Sequence, residues 1–326
     1  MYKKMLFIFS SLLLVAACGQ NKYASTTDAN ESTKKLEVMT TLYPLADFTK
    51  KIGGTHVEVE SILPPGADAH TFEPTPKTMI KLADSDLFIY MGAGLEGFAE
   101  SAAKTLKDGE VELIEASEGV TFEVFQSNHG HEHNDHDEEE TQQAEEKHDD
   151  HGDVDPHVWL DPILAIDLAD HIKSELIQAK PEAKDDFERN FLDLKKKLEE
   201  LDRSYQQMVE QAERKEILVS HAAYGYWEHR YGIEQISVSG LSPTNEPTQQ
   251  QMKEIIEETR EYNIQYILFE QNVSTKPAET IKKHLNLDIL YLHNLSVLTE
   301  EDIENKEDYF TLMERNQSTL KKALSH

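Results

Sequence analysis

The segment PEAKDDFERNFLDLKKKLEELDRSYQQMVEQA, residues 181–212, carries the longest regular pattern in the chain. Apolar residues recur in it at steps of three and four, the spacing of one face of an α-helix. They are Phe187, Phe191, Leu194, Leu198, Leu201, Tyr205, Met208 and Ala212. Such a stripe could form the seam of a coiled-coil dimer. We favour a single helix, on the order of 45 Å long, packed along the rest of the chain.

Strand patterns alternate with helical patterns on both sides of this segment. The predicted strands before it are 36–41, 57–63, 87–91 and 111–114, and those after it are 216–220, 235–238, 264–269 and 289–292. Alternation of this kind indicates parallel sheets with right-handed crossovers. We therefore predict an α/β protein with two parallel-sheet lobes joined by one long helix. The predicted units are an N-terminal lobe 36–180, a linking helix 181–214 and a C-terminal lobe 215–326.

The amino terminus has the pattern of a bacterial lipoprotein signal. Lys3 and Lys4 precede the apolar run 6–15, which is too short to span a bilayer as a stable helix, and a small-residue cleavage site ends at Cys18. We predict a signal peptide 1–18, a lipid on Cys18 and a flexible tether 19–35. Cys18 is the only cysteine, so no intramolecular disulfide can form. An ordinary signal peptide that ends beside a cysteine is the alternative.

The charge balance restricts the partners of the chain. Its 326 residues include 62 acidic and 32 basic side chains, giving a formal charge of -30. Nucleic acid is therefore a poor partner, and cations are favoured. The length is sufficient for a large core and two domains.

A polar tract at 128–153 combines imidazoles with carboxylates. Between residues 129 and 155 lie six histidines, twelve acidic residues and one lysine. Composition of this kind is typical of metal binding and cannot support a packed core, although a solvated acidic linker is the alternative. We predict weak auxiliary metal sites there, on His129, His131, His133, His136, His148 and His151.

Four further side chains lie at predicted strand ends or in loops: His70, His157, His221 and Glu270. In α/β proteins, ligands bind at the carboxyl ends of the strands, so a cleft between the lobes could bring the four together. Three imidazoles and one carboxylate suit tetrahedral zinc, and a closed shell suits holding an ion better than catalysis. Each residue alone could instead be structural. We interpret the other histidines outside the tract as structural or surface residues, because they lack this placement or lie on helices and exposed ends: His56, His171, His229, His284, His293 and His326.

Several stretches resemble the solute-binding lipoproteins of metal-importing ABC transporters, in particular the zinc type. They are Leu42 to Leu45, Leu63 to Pro74 (LPPGADAHTFEP), Asp155 to Pro162 (DPHVWLDP), Val219 to Tyr224 (VSHAAY) and Phe269-Glu270. The resemblance covers the chain from about residue 36 onwards. It implies two α/β lobes joined by a rigid helix, with Zn²⁺ held between them by His70, His157, His221 and Glu270.

The resemblance also implies a function and its partners. It implies a protein that delivers its ion to an ABC permease with a separate ATPase, on the outer face of the cytoplasmic membrane. We predict that the chain itself is a monomer. The chain has no phosphate-binding loop of its own. The absence of cysteines for a disulfide fits a Gram-positive cell surface.

Three alternatives stay open at this point. Manganese-type relatives are similar but have a carboxylate at the position of His221, and imidazole there favours zinc. A secreted zinc hydrolase would need an open coordination position and a base, and no H-E-x-x-H is present, so we predict no enzyme. An adhesin, with a purely structural metal, is the third.

Overall fold

The computed structural model describes residues 34–120, 154–271 and 276–325. The predicted signal peptide with Cys18, almost all of the tether and the six histidines of the tract lie outside these residues. Within the described ranges, no helix combines the length and the apolar character needed to cross a bilayer. The compact unit begins at Lys35 and extends to the carboxyl terminus.

The first lobe is a four-stranded parallel sheet with its crossover helices. Its elements are β1 (Leu36–Thr40), α1 (Tyr43–Gly53), β2 (Val57–Ser61), α2 (Pro76–Asp84), β3 (Leu87–Tyr90), α3 (Ala99–Leu106), β4 (Glu112–Glu115) and α4 (Pro162–Ala179). The strand order is β2-β1-β3-β4. Helix α4 begins at Pro162, because Asp161 accepts hydrogen bonds from the backbone N–H groups of Ile163 and Leu164, and Pro162 occupies the first turn.

The long helix α5 (Lys184–Glu210) follows a short 3₁₀ turn at Pro181–Ala183. Six residues of the predicted stripe are buried: Phe187, Phe191, Leu194, Leu198, Leu201 and Tyr205. The stripe contacts α1 and α4 of the first lobe and two helices of the second lobe. The apolar face of α5 is thus buried against other helices of the same chain. This confirms the prediction of a single packed helix and not that of a coiled-coil dimer.

The second lobe repeats the arrangement of the first. Its elements are β5 (Glu216–His221), α6 (Gly225–Tyr231), β6 (Glu234–Ser239), α7 (Gln249–Glu261), β7 (Tyr266–Glu270), α8 (Lys276–Leu285), β8 (Asp288–Leu292), α9 (Glu300–Asn305) and α10 (Tyr309–Ala323). The order is β6-β5-β7-β8, again all parallel. Helix α9 was not predicted, because its sequence EEDIEN has no apolar periodicity; a capping box at Thr299 and Asp302 stabilises its start.

Each sheet has a switch point, where the crossovers change side. It lies between β1 and β3 in the first sheet and between β5 and β7 in the second. In the first sheet the buried carboxylate of Glu96 occupies the switch point. Its Oε1 accepts hydrogen bonds from the Thr41 hydroxyl at 2.5 Å and the Met91 N–H at 2.8 Å, and its Oε2 accepts one from the Gly92 N–H at 3.1 Å. Burial raises the pKa of Glu96. The second switch point carries the candidate site.

Candidate metal centre

Three imidazoles converge between the two sheets. His70, His157 and His221 each offer a ligand atom, and these atoms lie within 4.8 Å of one another. Their ring centroids are 5.3 to 6.1 Å apart. His157 and His221 are almost fully buried, with 2% and 1% exposure, and His70 is half-buried. The group forms because two lobes bring together positions 151 residues apart in the sequence.

His221 and Glu270 flank the second switch point because they are the last residues of the neighbouring strands β5 and β7. The His221 Nδ1 lies 2.5 Å from Oε1 of Glu270. Neither ring nitrogen of His221 makes a hydrogen bond of normal geometry, although the ring is buried. Unsatisfied buried polar atoms are costly, and here they lie in a group of candidate metal ligands.

His157 is oriented by Asp155, two residues earlier. The Oδ1 of Asp155 lies 2.7 Å from Nδ1 of His157 and also accepts the backbone N–H of His157 at 2.9 Å. A carboxylate on one ring nitrogen fixes the ring and leaves the other nitrogen for an ion. Asp155 is itself 1% exposed.

The segment 155–161, which carries His157, is held by side chains of the second lobe. Three backbone carbonyls accept hydrogen bonds from aromatic side chains of that lobe, at 2.6 to 2.7 Å: Asp155 from Tyr226, Trp159 from Tyr309, and Leu160 from Trp227. In return, the Trp159 Nε1–H donates to the carbonyl of Asn294 at 2.7 Å. We call these four bonds the aromatic latch. It places a ligand from the first half of the sequence against the ligands of the second.

His70 lies in the loop that follows β2. The carboxylate of Asp68 accepts hydrogen bonds from the His70 N–H at 3.1 Å and from the Thr71 hydroxyl at 2.8 Å, which shapes this loop. Burial, together with the facing imidazoles of His157 and His221, lowers the pKa of His70 to about 2. The ring is therefore neutral at physiological pH, as a metal ligand must be.

The electrostatics of the site favour a cation. Asp155 and Glu270 are both almost fully buried, and within the described ranges neither pairs with a lysine or an arginine. Burial opposes a charge on His221, but the adjacent Glu270 carboxylate outweighs it, and the pKa of His221 is raised. Buried carboxylates without a lysine or arginine partner are costly, and a divalent ion would offset the charge of both.

The four predicted ligands are thus neighbours, but they do not form a single group. The three histidines form one ligand group, whereas Glu270 lies beside His221 without belonging to that group. Which of them bind an ion stays a prediction. With three imidazoles and one carboxylate, the arrangement can hold a divalent ion in a four-ligand shell, for which zinc is the usual occupant.

His293 is structural, as predicted, but the prediction that it lacks a strand-end position was wrong. His293 directly follows β8 and therefore has the strand-end placement of the ligands. It is nevertheless structural: the ring lies 3.0 Å from Asp302, accepts the N–H of Leu295 at 2.9 Å and is buried. His326 lies outside the described residues.

The sequence interpretation did not identify three residues that support the ligands: Asp155, Tyr224 and Asn294. The Tyr224 hydroxyl lies 3.4 Å from Oε1 of Glu270, and the Asn294 amide donates to Oε2 of Glu270 at 2.5 Å. A usable signal existed, since Asp155 precedes a candidate ligand by two residues and Asn294 follows the carboxyl end of β8.

Fold and site together define a class: a solute-binding protein of two lobes joined by a long helix, with a candidate metal site between the lobes. The chain matches the family described as zinc-uptake complex component A, periplasmic, over residues 38–323. The chain belongs to this family.

Individual relatives agree with this membership. The chain is 34% identical to the high-affinity zinc uptake system protein ZnuA of Bacillus subtilis (strain 168), covering 99% of both chains. It is also 34% identical to the zinc-binding lipoprotein AdcA of Streptococcus pneumoniae (strain R6), over 98% of this chain but only 60% of that protein. The crystal structure of the Zn(II)-bound ZnuA-like domain of Streptococcus pneumoniae AdcA superposes with a TM-score of 0.71 at 33% identity, covering 90% of this chain and 100% of that chain.

Proposed function

We propose that this chain captures Zn²⁺ outside the cytoplasm and delivers it to a membrane permease driven by a separate ATPase. The observation that carries the proposal is the convergence of His70, His157 and His221 beside the buried carboxylate Glu270. Imidazole nitrogens favour zinc over manganese, which prefers oxygen ligands. The names of the relatives, a zinc uptake protein and a zinc-binding lipoprotein, point to the same ion.

The proposal includes the placement of the protein. Cys18 would carry the lipid that anchors the chain to the outer face of the membrane, and residues 19–35 would form the tether. The lobe boundaries 36–180, 181–214 and 215–326, the monomeric state and the absence of catalysis are part of the same proposal. Relatives from Bacillus and Streptococcus support a Gram-positive cell surface.

Competitive titration of the chain without residues 1–18 tests which ion the site prefers. We expect one tight site that prefers Zn²⁺ to Mn²⁺, and we expect His221→Asp to reduce this preference, because an oxygen ligand replaces a nitrogen. Tight binding should weaken from pH 7.5 to 5.5, since protons compete with the ion for the imidazole of His221, whose pKa is raised. A preference for manganese, or no tight site at all, would overturn the proposal.

We further propose that the His-rich tract collects zinc without forming the tight site. Deletion of residues 128–150 should leave one tight site intact and remove the weaker sites, because the three converging histidines and Glu270 all lie outside that range. Isothermal titration of the two forms measures the number of sites in each. Loss of the tight site on deletion would contradict this division of labour.

A further inference from the structure

Asn294 lies beside the proposed metal centre because of strand register. Glu270, at the end of β7, is paired with Leu292 of β8, and Asn294 follows two residues later. Its side-chain amide donates a hydrogen bond to Oε2 of Glu270 at 2.5 Å, and the residue is buried with 7% exposure. The other oxygen, Oε1, lies next to His221 and within 3.4 Å of the Tyr224 hydroxyl.

The orientation of the Asn294 amide is determined by its neighbours. Its Oδ1 accepts two hydrogen bonds from Ser296, one from the backbone N–H at 3.0 Å and one from the hydroxyl at 2.8 Å. A flipped amide would place its NH₂ against the Ser296 N–H and its oxygen against the Glu270 carboxylate. Both contacts would be repulsive, so the amide must present its NH₂ group to Glu270.

The turn that carries Asn294 is held by several hydrogen bonds. Leu295 has a φ of 61°, a left-handed conformation that a leucine adopts only when the surroundings enforce it. The enforcing contacts are the bond from the Leu295 N–H to the His293 ring, the bond between the His293 N–H and Asn316, and the bond from Trp159 to the Asn294 carbonyl. The bond from Trp159 belongs to the aromatic latch. Asn294 therefore contacts both Glu270 and the segment that carries His157.

We infer that Asn294 sets the ion preference of this centre by occupying one oxygen of Glu270, so that the carboxylate offers the ion a single oxygen. This inference rests on the proposed function. Three imidazoles and one carboxylate oxygen make a four-coordinate shell, which zinc prefers. A carboxylate free to bind through both oxygens would raise the coordination number and the oxygen content of the shell, which favours manganese.

The test uses the full chain, purified in detergent, with three readouts. X-ray absorption of the zinc-loaded wild type counts the ligands directly, the visible spectrum of the Co²⁺ form reports tetrahedral or higher coordination, and competition titration measures the ratio of zinc to manganese affinity. In the wild type we expect four ligands and a tetrahedral Co²⁺ spectrum. In Asn294→Ala we expect a weaker Co²⁺ band and a fall in the zinc-to-manganese ratio of about 10- to 100-fold, the usual effect of removing a partner of a ligand.

Ser296→Ala is the matched control. It removes one of the two bonds to Oδ1 and leaves the backbone bond, so the amide keeps its orientation, and a change of less than threefold in the ratio is expected. A merely structural role for Asn294 would lower the affinity for both ions equally and leave the ratio and the Co²⁺ spectrum unchanged, which would overturn the inference.

The wild-type measurement keeps the test decisive if Asn294→Ala does not fold. Five or more ligands around zinc in the wild type, with both oxygens of Glu270 bound, would overturn the inference without any variant. The failure of the proposed function looks different: the wild type would then have no tight zinc site to measure.

Discussion

Replacement of His157 with alanine is expected to lower the zinc affinity by about 10²–10³-fold. Structural zinc sites of four ligands bind with roughly 10–16 kcal/mol, so the loss of one ligand removes on the order of 3–4 kcal/mol, and each 1.4 kcal/mol is tenfold in affinity. His157 is 2% exposed, and no other described histidine lies close enough to take its place in the group. Competition against a zinc chelator of known affinity measures the loss.

Asp155→Asn is expected to lower the zinc affinity less than His157→Ala does. It keeps the shape of the side chain but removes the negative charge that faces Nδ1 of His157, so the expected loss is about 10- to 100-fold. His284→Ala, on the exposed side of α8, serves as the control and should leave the affinity unchanged. If His157→Ala retained wild-type affinity, the proposed ligand set would be wrong.

Replacement of Trp227 with alanine is expected to lower the free energy of unfolding by about 3–5 kcal/mol. The side chain is fully buried in α6, and its ring lies 4.8 Å from that of Tyr224 and 5.7 Å from that of Tyr205 on the long helix α5. It also donates the bond of the aromatic latch to the Leu160 carbonyl at 2.7 Å. Denaturant unfolding of the metal-free chain measures the change.

Two variants separate packing from the hydrogen bond. Trp227→Phe keeps most of the packing but leaves the Leu160 carbonyl without its donor, which should cost about 1–3 kcal/mol. Leu192→Ala, at a position on α5 with 62% exposure, should change the stability by less than about 0.5 kcal/mol. A cost for Trp227→Phe as small as that for Leu192→Ala would show that the bond across the two lobes contributes nothing.

The aromatic latch bears on how an ion could leave the centre. His157 belongs to the first half of the sequence, but the segment around it is bonded to Tyr226, Trp227 and Tyr309 of the second lobe. Movement of the lobes as rigid bodies would have to break these buried bonds or carry the segment with the second lobe. If the latch stays intact, the backbone of His157 moves together with His221 and Glu270.

The sequence predicted the elements well where apolar spacing was regular. The stripe from Phe187 to Tyr205 predicted α5, because helical periodicity is a pattern that repeats within a few residues. Helix α9 was missed because its stability depends on a capping box and tertiary contacts and not on an apolar face. His293 was given the right role for a wrong reason, since its ring nitrogens are engaged by Asp302 and Leu295, which strand placement cannot show.

By itself, the sequence determined the α/β class, the two lobes, the long helix and the set of candidate ligands, because residue types and short-range spacing carry that information. Only the tertiary structure decided that Asn294 occupies one oxygen of Glu270 and that the second lobe holds the segment 155–161. These contacts join residues whose alignment depends on sheet register and on how the two lobes pack. Neither is set by local spacing, and both arise when the whole core forms.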